Sequence, residues 1–313
     1  MRIRATVAAV SGALVLSALA APLAQAEGST SYSPADLTKS VQEARQAAAA
    51  AQSGRSAFAA TADTGSPYAL NFTFSNVKVN NGSSIVLGTG FHKAVPVTYK
   101  VTHGADVDIN DPELYFDIEL WRGGSYVEPT KVLIGDQWPN CTATSSTTAN
   151  CTATIDIYPE IELTNSDATV WNIGGYAIDY NGEDPLADNV NWDNVGVAMQ
   201  GNIGTTRLKR MAKLTVNASP EPVAKGATVT VSGKLTRADW PNARYVGLNG
   251  QSVKLQYRTK TGSYTTLKTI TSGTGGALKT TVKATADGYY RFAFAGLAST
   301  APVNATGDYV DVK

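Results

Sequence analysis

The sequence predicts an all-β chain built from two antiparallel β-sandwiches, on three observations. From Tyr68 onward, apolar side chains recur at every second position in short runs, the period of a strand with one buried face. Clusters of Asn, Gly, Asp and Pro separate the runs, and these are the residues that turns require. Charged residues are only 17% of the chain, while Thr, Gly, Val, Asn and Ser are plentiful, a bias towards strands joined by turns.

The first set of strands is carried by Leu70, Phe72 and Phe74; by Val95, Val97, Tyr99 and Val101; and by Leu114, Phe116, Ile118 and Leu120. It continues through Ala153, Ile155 and Ile157, then Trp171 to Tyr180, then Val195 to Met199. Pro96 lacks a ladder donor, so its strand is expected at an edge or a bulge. A second set begins near Lys213, with Leu214–Val216, Thr228–Leu235, Val253–Tyr257, Tyr264–Ile270, Leu278–Val282, Gly288–Phe294 and Tyr309–Val312. About seven strands in roughly 100 residues is the size of an immunoglobulin-like (Ig-like) sandwich.

The remainder lies upstream. Arg2 and Arg4 precede an apolar stretch from Val7 to Ala20, followed by Ala24-Gln25-Ala26, the order of a secretory signal peptide cleaved after Ala26. The apolar stretch is shorter than the roughly 20 residues a spanning helix needs, so no membrane insertion is expected. Ser33-Pro34 forms a helix start, and Leu37, Val41, Ala44 and Ala47 to Ala51 follow before Gly54. That stripe is thin, so a short Ala-rich helix and a flexible linker are expected over 27–67. The expected organisation is thus a signal peptide at 1–26, the helix and linker at 27–67, and sandwiches at 68–206 and 207–313.

Two cysteines, Cys141 and Cys151, flank a small polar segment. On the exported side an even count predicts one disulfide clamping a turn. The net charge of zero hides a split: residues 66–206 hold 5 basic and 17 acidic side chains, residues 207–313 hold 16 and 5. The basic half is a candidate contact for an envelope polyanion or acidic glycan, and export makes nucleic acid an unsuitable partner.

Among the loops, Asp106, Asp108, Asn110 and Asp111 place oxygen ligands at close spacing, a pattern that suits calcium. The register echoes an EF-hand, but Asp111 stands where the sharp turn requires glycine and Pro112 follows, so it is not one. Asp179, Asn181, Glu183 and Asp184 form a second acidic cluster. Sandwich loops gather at two ends, so the two clusters are expected to share a site if they share an end. Five tryptophans offer the alternative of a carbohydrate-stacking platform, with Trp138 and Trp240, each before a proline, expected in exposed loops.

Signals of catalysis are sparse. His92 and His103 are the only histidines, with no HExxH, no GxSxG and no phosphate-binding glycine loop. Asp117 and Glu119 face one side of a strand, as glycosidase carboxylates do, and so do ordinary solvated residues. No enzyme activity is expected; an unrecognised hydrolase is the remaining alternative.

The order KLTVNASPEPVAKGATVTVSGKL, NGQSVKLQYR, GALKTTVKATADGYYRFAFAG and GDYVDV resembles the Ig-like modules of secreted actinobacterial proteins. NFTFSNVKVN, CTATIDIYPE and WDNVGVA resemble the partner domain of the same family. The resemblance implies an Ig-like fold and export to the extracellular space. Some members carry a calcium-binding label, and no catalytic residue is carried over. A secreted, non-enzymatic binding or structural module is therefore expected.

Overall fold

Alternation sorts the side chains of each strand onto two faces, and the inner faces of paired sheets close each core. The computed structural model describes residues 34–53 and 65–313; the expected signal peptide, and 27–33 and 54–64 of the expected helix and linker, lie outside the described residues. The first sandwich comprises β1 (Tyr68–Ala69), β2 (Phe72–Val79), β3 (Ile85–Leu87), β4 (Lys93–His103), β5 (Leu114–Gly124), β6 (Pro129–Leu133), β7 (Asn140–Ser145), β8 (Thr148–Ile157), β9 (Val170–Asp179) and β10 (Gly196–Arg210). One sheet has the order β2-β4-β8-β7; the other has β1-β10-β9-β5-β6, with β3 on the far end of β10. This is the Ig-like arrangement, in which non-consecutive strands pair in two facing sheets. Phe72, Phe74, Val95, Val97 and Val101 meet Phe116, Ile118, Leu120 and Trp171 between them, all buried.

Pro96 lies in β4, an interior strand rather than an edge. Its pairing with Thr154 of β8 continues past Val97, where the register with β2 ends at Val79. At Pro96 the strand thus has a neighbour on one side, and no ladder bond on the other is lost. Cys141 and Cys151 are register partners of the β7–β8 hairpin, Cα atoms 4.1 Å apart, and form the disulfide. It staples two neighbours in one sheet instead of bridging the two sheets.

The second sandwich comprises β11 (Ala212–Leu214), β12 (Asn217–Ser219), β13 (Thr228–Asp239), β14 (Arg244–Gly247), β15 (Ser252–Arg258), β16 (Thr265–Thr271), β17 (Ala277–Lys283), β18 (Gly288–Phe294), β19 (Val303–Asn304) and β20 (Asp308–Val310). β13 binds β11, β12, β14 and β17, while β16-β15-β18 carries β19 and β20 on the other sheet. Val229, Val231, Val253, Leu255, Phe292 and Val310 fill the space between them.

β10 runs through residues 206 and 207 without a break, and Leu208 packs in the first core. The chain changes sandwich at Met211. There Leu87 O accepts two bonds, from Met211 N–H at 2.8 Å and from the Trp240 indole at 3.1 Å. Trp240 and Ala238, both from the second sandwich, pack against the buried side chains of the first. Asn165 closes the rim: its Oδ1 accepts Trp240 N–H at 3.2 Å and its Nδ2 donates to Asp239 at 2.7 Å. The joint is therefore an apolar anchor with satisfied polar neighbours, not an attraction between oppositely charged faces.

Helix α1 (Pro34–Ser53) forms within the segment where the Ala-rich helix is expected, and despite its thin stripe it docks on the first sandwich. Val41, Ala44 and Ala47 are buried among Tyr115, Tyr176, Ile178 and Val197 on the outer face of β5, β9 and β10, with Tyr180 and Trp192 from the connection between β9 and β10. Small alanines let the helix axis approach, and tyrosines of the sheet supply the bulk the helix lacks. At the centre, Arg45 Nη2 donates to both Glu119 oxygens, at 2.6 and 2.9 Å, both side chains buried. Gln42 accepts from Arg45 at 2.7 Å and donates to Val127 O at 2.7 Å. The Tyr126 ring lies 4.6 Å from the guanidinium and fills space left by Gly174 and Gly201, where a Cβ would come within 2.7 and 2.4 Å of it. Among the described residues no helix is long and apolar enough to cross a membrane.

Arg45→Ala leaves the buried Glu119 carboxyl without its cationic partner, so urea unfolding should show a loss of about 3–5 kcal/mol. Replacing Arg45 and Glu119 together with Met and Leu should restore most of it. A single-variant loss within about 1 kcal/mol, the range of an exposed pair, would contradict the docking of α1.

Candidate functional site

The loop that carries Asp106, Asp108, Asn110 and Asp111 joins β4 to β5, and the loop that carries Asn181, Glu183 and Asp184 joins β9 to β10. Both stand at one end of the first sandwich, where Leu114 pairs with Asp179. Glu113 ties them: its Oε2 accepts Gly182 N–H at 2.7 Å and its carbonyl accepts Tyr180 N–H at 3.2 Å. Burial, with repulsion from Asp111 and Glu113, raises the Asp179 carboxyl above the ordinary range. Burial and the charges of Asp179 and Asp106 likewise raise Tyr68, whose hydroxyl accepts Asn181 Nδ2 at 2.7 Å.

Proximity of loops has not brought the oxygens to one point. Asp108 Oδ1 accepts Asn110 N–H and Asn110 Nδ2, Asp111 Oδ1 accepts Glu113 N–H, and Asp184 Oδ1 accepts Leu186 N–H. Glu183 spends both oxygens on Asn191 N–H and Asn194 Nδ2. These are turn-forming bonds inside each loop. Among the described residues, three ligand atoms converge within 4.8 Å elsewhere, at His92, Asp136 and Asp156.

That group lies at the opposite end. His92 immediately precedes β4, Asp136 sits between β6 and β7, and Asp156 is near the end of β8. His92 Nε2 is 2.6 Å from Asp156 Oδ1, and Asp156 Oδ2 accepts Asp136 N–H at 3.0 Å and Thr154 Oγ1 at 2.9 Å. The Tyr158 hydroxyl donates to Asp136 Oδ2, and its ring stacks on His92 at 4.8 Å. Phe91, largely exposed, meets Tyr158 edge-on at 5.4 Å. Burial works against ionisation of Asp156, yet the bonds from Asp136, His92 and Thr154 hold it below the ordinary carboxylate range. In the sequence, His92 is one of two histidines and belongs to no metal-binding motif. The one visible signal was Asp156, an acid between the core residues Ile155 and Ile157.

The two candidate tryptophans part company. Trp138 is 56% exposed, its indole propped against Tyr115 at 4.9 Å. Trp240 is 0% exposed and anchors the joint, so it offers no surface for stacking. Proline after the tryptophan marks a turn in both cases, and a turn at a joint is buried.

The glycosidase-like pair is also taken out of solvent. Glu119 is covered by α1 through Arg45; burial pushes its carboxyl up and Arg45 pulls it back. Asp117 is pushed up to about 7, chiefly by burial and further by Glu119 and Asp156, against the bonds from Ile118 N–H and the Tyr99 hydroxyl.

On the second sandwich, the outward side chains of β15 and β18 form a basic aromatic face. Register pairs Gln256 with Arg291 and Arg258 with Tyr289, and β20 adds Tyr309 beside Tyr289. The Arg291 guanidinium lies 3.7 Å from the Tyr264 ring and that of Arg258 4.2 Å from Tyr289. Arg291 Nε donates to Gln256 at 2.9 Å, and Arg258 donates to the carbonyls of Thr259 and Lys260. The ion pairs among the described residues include neither arginine. A nearby cleft of about 440 Å³ is flanked by Lys268 and Lys283, which bond only to the neutral oxygens of Thr281 and Thr228.

No family model and no curated protein matches the sequence. Solved structures similar in part include the Yersinia pseudotuberculosis adhesin InvE, at 13% identity over 77% of this chain and 60% of that one, TM-score 0.23. Another is the Ig1–Ig3 ectodomain of mouse nectin-like molecule 4, at 13% identity over 79% and 65%, TM-score 0.20. The chain thus spans less than two thirds of the length of either. At these values the comparison carries no functional argument, and the Ig-like assignment rests on the strand pairing above.

Asp117 gives a pH signature. Between about pH 4 and 7 the folded protein retains a proton that the unfolded chain has released, so this group's stabilisation is full at low pH and is lost as pH rises through 7. Asp117→Asn keeps an oxygen for Ile118 and Tyr99 but does not titrate. The melting temperature of the natural protein should therefore fall relative to that of D117N as pH rises from about 4 to about 8. Parallel curves would contradict the buried, proton-holding Asp117.

Proposed function

We propose that the protein is an exported, non-enzymatic binding module that engages an anionic polymer of the cell envelope, a polyanion or acidic glycan, through its second sandwich. The observation that carries this reading is the Arg258–Arg291 face. Two guanidiniums are held in place by tyrosine rings and amide oxygens with no carboxylate to neutralise them. Arg is suited to this role because its planar fork meets phosphate or carboxylate in two bonds while its face stacks on a ring. The surplus of 16 basic over 5 acidic side chains in residues 207–313 adds a field that draws a polyanion in. Export is supported by the signal-peptide pattern and by the disulfide, which suits an oxidising compartment. The absence of an enzymatic role is supported by the burial of Asp117 and Glu119, the second of them paired to Arg45 of α1.

A second reading, stacking of a neutral glycan, is favoured by the exposed Trp138 indole and its support by Tyr115. Calcium at the acidic end is the lesser part of the proposal. The shared end of the two loops supports it, the internal use of their oxygens weakens it, and a melting curve in millimolar calcium tests it.

Equilibrium binding to a phosphate-backbone wall polymer, a uronic-acid polysaccharide and a neutral polysaccharide separates the first two readings. The double variant Arg258→Ala/Arg291→Ala should weaken binding to the charged polymers by about tenfold or more, and binding should fall steeply with added salt. Lys100→Ala on the first sandwich should change it little. Loss of binding in Trp138→Ala alone, with the neutral polymer preferred, would replace the first reading with the second.

A further inference from the structure

The His92 end of the first sandwich carries an inference independent of the polymer-binding face. We propose that His92 Nε2, one oxygen of Asp136 and one oxygen of Asp156 form a binding site for a divalent transition metal of the zinc class. The three ligand atoms lie within 4.8 Å of one another. An imidazole with two carboxylates suits zinc, whereas calcium takes oxygen alone.

What distinguishes this group from an ordinary ion pair is the second layer of bonds. Asp156 Oδ2 is held by Asp136 N–H and Thr154 Oγ1, which leaves Oδ1 turned to His92. Asp136 Oδ2 is held by the Tyr158 hydroxyl, which leaves its other oxygen for a metal. The Tyr158 ring also stacks on His92 and fixes the plane of the imidazole. Each ligand is thus oriented by a neighbour, the arrangement by which proteins aim first-layer ligands at a metal. His92 Nε2 and Asp156 Oδ1 lie 2.6 Å apart, so a cation bound by both needs a small parting of the two side chains. His92 is 40% exposed, so the fourth position opens to water or to a donor atom from another molecule. The metal would clasp the chain entering β4, the β6–β7 connection and the end of β8, two residues from the exposed Trp138.

The test uses the full chain and zinc ion itself. The sequence has two histidines, and His103 is buried, its Nδ1 2.9 Å from Gly104 O. A long-range proton–nitrogen spectrum therefore reads each ring separately. Zinc should move the His92 Nε2 resonance to saturation at one equivalent and leave His103 in place, and calcium should move neither. His92→Gln and Asp136→Asn, both at exposed positions, should each weaken zinc binding by about tenfold or more by calorimetry, and Asp108→Asn should leave it unchanged. Should Asp156→Asn fail to fold, those two variants still decide the matter. A His92 resonance unmoved by excess zinc, or zinc affinity equal in the natural protein and both variants, overturns the site.

Discussion

The six-stranded sheet is buried on both faces, and what covers its outer face governs the rest of the molecule. The four-stranded sheet closes one side with aliphatic and aromatic side chains. Helix α1 closes the other, where the sheet presents Tyr115, Asp117, Glu119, Tyr176 and Tyr180. Such a face, if open, would be an aromatic trough with two carboxylates. Arg45 closes it into an interior: its Nη2 donates to both Glu119 oxygens and so offsets part of the cost of burying that carboxyl. With that trough filled, the surfaces left open are the loop ends of the first sandwich and the outer face of the second.

Those two regions differ in chemistry because the charge is divided between the sandwiches. The first is acidic, and its carboxylates are spent on turns at one end and on the His92 group at the other. The second is basic, and its arginines are propped by tyrosines. The halves do not need their opposite charges to hold together. Trp240 and Leu87 make an anchor that salt does not screen, so the basic face is not needed for the joint.

The period-two pattern made both sandwiches legible, since a strand with one buried face leaves that record in its sequence. The disulfide was legible for a similar reason: two cysteines across a short polar turn are register partners in a hairpin. Docking of α1 was not, because the bulk in that contact belongs to the sheet and the helix contributes mostly alanine. Trp240 misled because burial at a joint depends on the other sandwich, which local sequence does not show. The His92 group was hidden by distance along the chain: one residue precedes β4, one lies between β6 and β7 and one is near the end of β8, and they meet only once the sheets have formed. Asp108, Asp111 and Asp184 illustrate another limit: residues conspicuous in the sequence each spend one oxygen on a turn, which spacing alone does not show.

Hydrogen exchange of the intact protein tests the covering of the sheet most directly. Amides of 41–48 in α1 should be protected to a degree comparable with β5 and β9, and Arg45→Ala should release the helix selectively. Exchange of that segment at the rate of an unstructured peptide, with the strands still protected, would mean that the trough and its carboxylates stand open to solvent.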